Sequence, residues 1–342
     1  MIFINTKILS TDEGSLKEAA SIIKSGGIVA FPTETVYGIG ANIYNEEAIK
    51  NIFKAKGRPA DNPLIVHISS FDMLSDIVSY IPDSAKILMD AFMPGPLTII
   101  MKKSDKINPI ITAGLDTVAV RFPSHPIARK FIEFSSVPIA APSANLSGKP
   151  SPTIARHVID DLTGRVDAIF DGGMCDAGLE STVIDCTGDI PLILRPGIIT
   201  LEDVQEFIPE ADIDKDVLSA VLPGDTPRCP GMKYKHYAPD AKVIVVEGEK
   251  EKVINKIKSL LSENSDFKTG VLSCSGESYK CNKIINIENG NKGYAHGLYT
   301  SLRLFDENAI DIVFAEFYID DKYSVSVKNR LYKSASNNII YV

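Results

Sequence analysis

The sequence is poor in the features that mark several common classes of protein. Its five cysteines are an odd number and no two are spaced as C-x-x-C, which argues against a disulfide framework or a structural zinc site and favours reduced thiols. Positive charge is not in surplus, because 36 Lys and Arg stand against 44 Asp and Glu for a net charge of -8. Any basic surface for a nucleic acid must therefore be local.

Long apolar segments and the commonest ligand motifs are also missing. No run approaches the roughly 20 apolar residues that a membrane-spanning helix needs, and the opening MIFINTKILS has no basic region followed by an apolar one. We therefore expect no membrane span and no secretion signal, and predict a cytoplasmic protein. The sequence contains no G-x-x-x-x-G-K-[ST] loop, G-x-G-x-x-G fingerprint or H-x-x-x-H pair. A P-loop, a standard dinucleotide site and a bound metal are thus not predicted.

The pattern along the chain predicts two α/β domains joined by a linker. Short β-branched runs such as 64–68 (LIVHI) alternate with helical patterns such as 46–56 (EEAIKNIFKAK) in the first domain, which indicates a large sheet. Four prolines between residues 223 and 239 exclude a continuous helix or a central strand there. The following strands and helices predict a small doubly wound parallel sheet. We place the domains at 1–208 and 241–342, with 209–240 as the linker.

Polar clusters follow two predicted strands, where α/β folds tend to place ligands. Residues 32–38 (PTETVYG) could orient a small polar ligand or form a turn that caps the next helix. Residues 140–148 (AAPSANLSG) combine small residues, which allow close approach to the backbone, with the donors Ser143 and Asn145. A loop that caps a helix beginning near Thr153 is the alternative.

A basic cluster lies at the predicted end of the 46–56 helix. Lys50, Lys54, Lys56 and Arg58 fall within nine positions that contain no acidic residue. Gly57 then interrupts the helix, so the charges gather at its end. The cluster is either a solvated helix terminus or a clamp for phosphate groups.

Two polar side chains interrupt apolar strands. His67 lies in LIVHI, where a hydrogen-bonded core histidine is commoner than a ligand. Arg121 lies in VAVRF, and a buried arginine needs a carboxylate from the protein or from a ligand. Two further polar segments flank the next predicted strands, at Ser181-Thr182 and at 195–197 (RPG).

These motifs, in this order, resemble the YrdC family of threonylcarbamoyl-AMP synthases. The matching segments are PTETVYGIGAN (32–42), KAKGRPADNPLIVHI (54–68), PGPLTIIM (94–101), VAVRFPSHP (118–126), PIAAPSANLSG (138–148), STVID (181–185) and LRPG (194–197). The linker PGMKYKHYAP (230–239) and the second α/β domain resemble the two-domain form of the family. The resemblance implies an N-terminal YrdC-like twisted mixed sheet with surrounding helices, and a C-terminal Rossmann-like domain.

The resemblance also implies a reaction. L-threonine and bicarbonate or CO2 would form N-carboxy-threonine, which attacks the α-phosphorus of ATP to give threonylcarbamoyl-AMP and pyrophosphate. A transferase complex would then pass the threonylcarbamoyl group to the adenosine beside the anticodon of tRNA, an arrangement that allows weak contact with tRNA and involves no membrane. Mg2+ would arrive with the ATP. Such a displacement needs positioning and positive charge more than covalent work by the protein.

The family motifs assign roles to residues of this chain. Neutralisation of the triphosphate is assigned to Lys54, Lys56 and Arg58. Binding of ATP or the adenylate is assigned to Arg58, Asn62, Thr117, Ser143, Asn145, Ser151, Arg195, Tyr234 and His236. Binding of threonine is assigned to Thr35, His67, Arg121, Ala141 and Ser181. The linker residues 233–236 are expected to close over the nucleotide as a lid that excludes water.

Two other functions compete with the synthase. The concave basic surface of the family could hold double-stranded RNA or tRNA without chemistry, but the acidity of the chain and the lack of an RNP-type aromatic stretch argue against it. A carbamoyltransferase related to hydrogenase maturation contains a YrdC-like domain, but it adds zinc fingers that the cysteine spacing of this chain excludes.

Overall fold

The computed structural model of the protein describes residues 4–215, 217, 237–288 and 290–342. Most of the predicted linker, with Tyr234 and His236, lies outside these residues. Contacts divide the described chain into two compact units, of which the first comprises 4–147 and 151–217 and the second comprises 148–150 and 237–342. No helix in the described ranges is long and apolar enough to span a bilayer.

A sheet of eleven strands forms the frame of the first unit. The strands are β1 (Lys7–Leu9), β2 (Val29–Phe31), β3 (Gly38–Asn42), β4 (Ile65–His67), β5 (Leu97–Lys102), β6 (Thr117–Arg121), β7 (Ile139–Ala140), β8 (Ala168–Phe170), β9 (Thr182–Asp185), β10 (Leu192–Arg195) and β11 (Asp212–Ile213). They are ordered β1-β8-β2-β3-β7-β4-β6-β5-β9-β10-β11. Parallel pairs such as β4 with β6 are mixed with antiparallel pairs such as β5 with β6, which confirms the predicted mixed sheet.

Among the described residues of this unit, seven α-helices accompany the sheet, and the second of them carries the basic cluster. The helices are α1 (Glu13–Lys24), α2 (Glu46–Lys56), α3 (Asp83–Phe92), α4 (Pro109–Thr112), α5 (Pro126–Ser135), α6 (Ala155–Leu162) and α7 (Leu201–Gln205), with a 3-10 segment at Phe71–Asp76. The Asn45 side chain caps α2 by accepting from the backbone N–H of Ala48. Gly57, at φ 62, ends the helix in the left-handed region. The charges of Lys56 and Arg58 therefore lie at a sharp change of chain direction.

Two strands of the first sheet leave little trace in the sequence. In β3 a side chain at Gly40 would come within 2.6 Å of Ile139, so the close packing requires glycine, a residue that is uncommon in strands. The two-residue β11 is too short for a visible alternation. It pairs in parallel with β10, so the first sheet extends to Ile213, beyond the boundary placed at residue 208.

The second unit contains a separate, wholly parallel sheet. Its strands are β12 (Lys242–Glu247), β13 (Thr269–Ser273), β14 (Lys283–Asn286), β15 (Ile312–Phe317) and β16 (Ile339–Tyr341), and its helices are α8 (Lys250–Glu263), α9 (Gly290–Glu307) and α10 (Ser324–Ser334). The strand order is β14-β13-β15-β12-β16, and all pairs are parallel. Every residue of β15 is buried, as expected of a central strand covered on both faces. The predicted parallel sheet is confirmed.

Candidate functional site

Three polar side chains lie side by side across the middle of the first sheet. Arg121 on β6 is opposite His67 on β4 and opposite Thr98 on β5 in the strand register. Directly opposed residues project from the same face of a sheet, and all three are buried. The row contains two of the predicted threonine ligands, while Thr98 is a member that the motifs did not single out.

Arg121 connects this row to the loop that follows β2. Its Nη1 donates to Thr35 Oγ1 at 2.7 Å, and its Nη2 lies 2.8 Å from Glu34 Oε1. Burial alone would raise the pKa of Glu34, but the guanidinium outweighs it and the pKa lies below its usual range. The buried carboxylate that Arg121 requires is therefore supplied by Glu34.

His67 is both a hydrogen-bonded core residue and a neighbour of the predicted ligands. Its Nδ1 lies 3.1 Å from the carbonyl oxygen of Ile65, which can only accept, so Nδ1 carries the proton. The same carbonyl accepts from the backbone N–H of Ala141 at 2.9 Å. Burial, aided by the charge of Arg121, lowers the pKa of His67 to about 3. The ring is therefore neutral at physiological pH.

Ser181, which is predicted to bind threonine, contacts a residue that is predicted to bind ATP. Its hydroxyl lies 2.7 Å from Thr98 Oγ1 and 3.0 Å from Arg195 Nη2, and Arg195 Nε donates to its carbonyl at 3.1 Å. A side chain at Gly197 would come within 2.5 Å of the backbone nitrogen of Thr182, so this approach of the two segments requires glycine. Ser181, which is predicted to bind threonine, and Arg195, which is predicted to bind ATP, are thus in direct contact.

Lys56 is buried beneath the S-A-N loop, residues 143–145. Only 3% of its surface is exposed. Its Nζ donates to the carbonyl oxygens of Ser143 and, at 2.7 Å, of Asn145. The backbone N–H of Ser147 donates in turn to the carbonyl of Lys56 at 2.9 Å, and Ser143 Oγ donates to Asn145 Oδ1. The lysine therefore fixes the loop that carries Ser143 and Asn145.

Arg58 and Asn62 occupy the turn after α2. Arg58 Nη2 donates to the carbonyl of Asn62 at 3.1 Å, and its guanidinium lies 6.0 Å from the centre of the Phe53 ring. Asn62 is completely buried. Neither polar atom of its side-chain amide has a hydrogen-bond partner among the described residues. Because buried amides are nearly always bonded, Asn62 is available to a ligand.

The remaining residues of the predicted ATP-binding set are Ser151, Thr117, Tyr234 and His236. Ser151 donates its hydroxyl to Glu180 Oε1, and both residues are buried. Thr117 begins β6, about 13 Å along the strand from Arg121. Tyr234 and His236 lie outside the described residues.

Lys54 lies apart from Lys56. It is exposed and lines a cavity of about 630 Å3 together with Asn51, Arg165 and Asp167. Among the described residues that line this cavity, Lys54 is the one member of the predicted set. Lys54 and Lys56 therefore have different surroundings, since Lys54 is exposed beside this cavity and Lys56 is buried beneath the S-A-N loop.

Three functional candidates were missed or underused by the motifs. Glu34, Thr98 and Glu180 contact Arg121, Ser181 and Ser151, respectively. Glu34 and Glu180 directly precede the predicted ligands Thr35 and Ser181 in the chain. This proximity was the signal by which the sequence could have identified them. Thr98 offered less, because threonine is common in ordinary strands.

Comparisons with known proteins cover nearly the whole chain. A family model described as telomere recombination, which carries the names Sua5, YciO and YrdC, matches residues 21–197. A second model, for the C-terminal domain of threonylcarbamoyl-AMP synthase, matches residues 199–336. The two matches meet near the end of β10, in agreement with a chain of two parts.

Individual relatives are similar over nearly their full length. A threonylcarbamoyl-AMP synthase of Pyrococcus abyssi is 47% identical over 97% of both chains. One of Bacillus subtilis is 44% identical over 98% of this chain and 97% of its own. The crystal structure of P. abyssi Sua5 complexed with L-threonine superposes with a TM-score of 0.95 at 46% identity, covering 98% of this chain and 100% of that one.

Proposed function

This chain belongs to the Sua5–YciO–YrdC family, in the form that carries the threonylcarbamoyl-AMP synthase C-terminal domain, and on this premise we propose that it makes threonylcarbamoyl-AMP. In the proposed reaction, L-threonine and bicarbonate or CO2 give N-carboxy-threonine. The new carboxylate attacks the α-phosphorus of ATP, and pyrophosphate leaves. The enzyme is thereby a nucleotidyltransferase.

The contact between Ser181 and Arg195 carries the proposal. Arg195 Nη2 and the Ser181 hydroxyl are 3.0 Å apart, and the same hydroxyl reaches Thr98, which is opposite Arg121 in the sheet. The proposed nucleotide side and amino-acid side are consequently continuous. Attack on phosphorus requires both reactants to be held side by side, since much of the rate enhancement comes from their positioning.

Threonine recognition is assigned to the row on the central strands. Arg121 supplies the charge for the α-carboxylate. His67, with its proton on Nδ1, presents Nε2 as an acceptor for the side-chain hydroxyl of threonine. A site built to bond a hydroxyl rejects analogues that lack one, because its own polar atom is then left unpaired.

ATP binding is assigned to the turn after α2 and to the S-A-N loop. Arg58 contributes positive charge, the unbonded Asn62 amide contributes donors and an acceptor, and Ser143 and Ser151 contribute hydroxyls. Lys56 acts through the carbonyls of Ser143 and Asn145. Mg2+ enters with the nucleotide, because the triphosphate supplies the oxygen ligands that it prefers, and lowers the charge opposing attack.

The wider setting follows from the instability of the product. A mixed anhydride benefits from exclusion of water, which is the role proposed for linker residues 233–236. The product would be transferred in the cytoplasm by a separate complex to the adenosine next to the anticodon of tRNA.

The decisive test of this function is identification of the product. Purified protein is incubated with ATP, Mg2+, L-threonine and 13C-bicarbonate, and the nucleotides are separated and weighed by mass spectrometry. The proposal requires an AMP adduct that carries one threonine and one labelled carbon. Formation of AMP or ADP alone would refute it.

A further inference from the structure

The buried pair of Glu34 and Arg121 leaves polar atoms of opposite character without a hydrogen bond. Within the part of the chain that the structure describes, both oxygens of the Glu34 carboxylate and Arg121 Nε are buried and make no hydrogen bond. Oε1 lies in the ion pair, 2.8 Å from Nη2, and Nη1 donates to Thr35, so Oε2 and Nε are the atoms that neither of these contacts uses. Unsatisfied buried polar atoms are rare in proteins and call for a specific explanation.

The residues assigned to threonine do not explain Glu34. That set contains the cation Arg121 but no acid, whereas a free amino acid binds as a zwitterion with an ammonium as well as a carboxylate. Burying an ammonium without an acceptor is strongly unfavourable. Glu34 is 7% exposed and directly contacts the arginine assigned to the substrate carboxylate.

We propose that Glu34 binds the α-ammonium group of the substrate, so that Glu34 and Arg121 together form a receptor for a zwitterion. Oε2 accepts from the ammonium while Arg121 Nε donates to the carboxylate. Each orphaned atom then gains a partner of opposite charge, and two cations and two anions share the site without net charge. Because N-carboxylation leaves an N–H on the substrate, the same oxygen still has a donor after that step.

This assignment rests on the proposed function, since it takes threonine as the ligand. Binding of the ammonium by Glu34 can be distinguished from a purely structural role of that residue. If Glu34 only held Arg121 in place, its loss would weaken every ligand that uses the carboxylate contact by the same factor. A residue that binds the ammonium must instead discriminate between an amino acid and its hydroxy-acid analogue.

The experiment compares L-threonine with the 2,3-dihydroxybutanoate of matching configuration, in which a hydroxyl replaces the ammonium. Binding to the full chain is measured by isothermal titration calorimetry without ATP or bicarbonate. We expect wild-type protein to prefer threonine by about 10-fold or more, the value of a charged hydrogen bond. Glu34→Gln should weaken threonine binding about 10- to 100-fold more than it weakens binding of the analogue, because any effect on Arg121 is common to both ligands.

The control is Glu46→Gln, which removes an exposed carboxylate on α2 that pairs with Lys50; it should leave both affinities unchanged. Equal weakening of both ligands in Glu34→Gln, or no weakening of threonine, would overturn the assignment. Equal affinity of the wild type for both ligands would overturn it as well, and this arm needs no folded variant.

The outcomes also separate this assignment from the function. Wild-type protein that binds neither ligand and forms no adduct contradicts the proposed function, and the assignment falls with it. Wild-type protein that forms threonylcarbamoyl-AMP, with Glu34→Gln showing an unchanged KM for threonine, overturns the assignment alone.

Discussion

Arg121 and Glu34 form an ion pair inside the first unit, with Nη2 2.8 Å from Oε1 and side-chain exposures of 5% and 9%. The guanidinium is held further by Thr35 and stands opposite His67 and Thr98 in the sheet. A buried charge is tolerated when it is paired, and removing one partner leaves the other uncompensated. The pair is therefore expected to govern the stability of this unit as well as its ligand binding.

Arg121→Gln should destabilise the first unit by about 3–5 kcal/mol, because it strands the Glu34 carboxylate. The double variant Arg121→Gln/Glu34→Gln should regain most of that loss. Urea unfolding of the wild type, both single variants and the double variant measures this as a double-mutant cycle. Additive losses would show that the two charges do not stabilise each other.

Lys56 and Lys54 should differ in their importance for activity. Lys56→Met removes the ammonium that holds the carbonyls of Ser143 and Asn145 and should lower kcat/KM for ATP by about 100-fold, the cost of misplacing a positioning loop. Lys54→Met, a matched change at an exposed residue that lines another cavity, should change it by less than about 3-fold. A large effect of Lys54→Met would instead support the phosphate clamp of Lys54, Lys56 and Arg58 that the family motifs predict.

His67 should contribute a pH-dependent term to stability. Its pKa is lowered to about 3 in the folded protein from the usual histidine value of 6.5, so between these values the unfolded chain binds more protons. The contribution is complete above about pH 6.5 and is lost as the pH falls towards 3, at about 1.4 kcal/mol for each unit of pH.

Thermal unfolding of the wild type and of His67→Gln between pH 7 and pH 4 isolates this term, because the other titrating groups are common to both proteins. The wild type should lose more stability than the variant over this range. Parallel curves would mean that His67 is not held neutral by burial.

The linker residues should matter for accumulation of product rather than for the fold. Tyr234→Ala/His236→Ala in the full chain should lower the yield of threonylcarbamoyl-AMP by about 10-fold or more, because water then reaches the anhydride. Tyr80→Ala, at a tyrosine that is 62% exposed, serves as the control. An undiminished yield in the double variant would remove the lid from the proposed mechanism.

Much of the fold is readable from local patterns. The bounds of α2 agree with the predicted 46–56, because an apolar face, the Asn45 cap and Gly57 all specify the same helix. β3 was missed because Gly40, which lowers its strand propensity, serves close packing against Ile139. The two-residue β11 is specified by its neighbour β10, which no local pattern reports.

The site was predictable as a set of residue types but not as a set of contacts. The buried carboxylate for Arg121 was anticipated, yet only the fold brings Glu34 to it from another strand end. Lys54 and Lys56 look alike in sequence, but each residue of a helix turns by about 100°, so the two side chains point about 200° apart. Lys56 consequently lies under the S-A-N loop, whereas Lys54 lines the cavity that it shares with Asn51 and Arg165.

Release of pyrophosphate from ATP by the purified protein is the first measurement to make, because the proposed adenylation produces it directly. The rate is measured with Mg2+ in the presence and absence of L-threonine and bicarbonate, using CO2-depleted buffer for the minus arm. We predict release that requires both co-substrates and is lost in Arg58→Ala. Release that is indifferent to threonine, or tight RNA binding without any release, would contradict it.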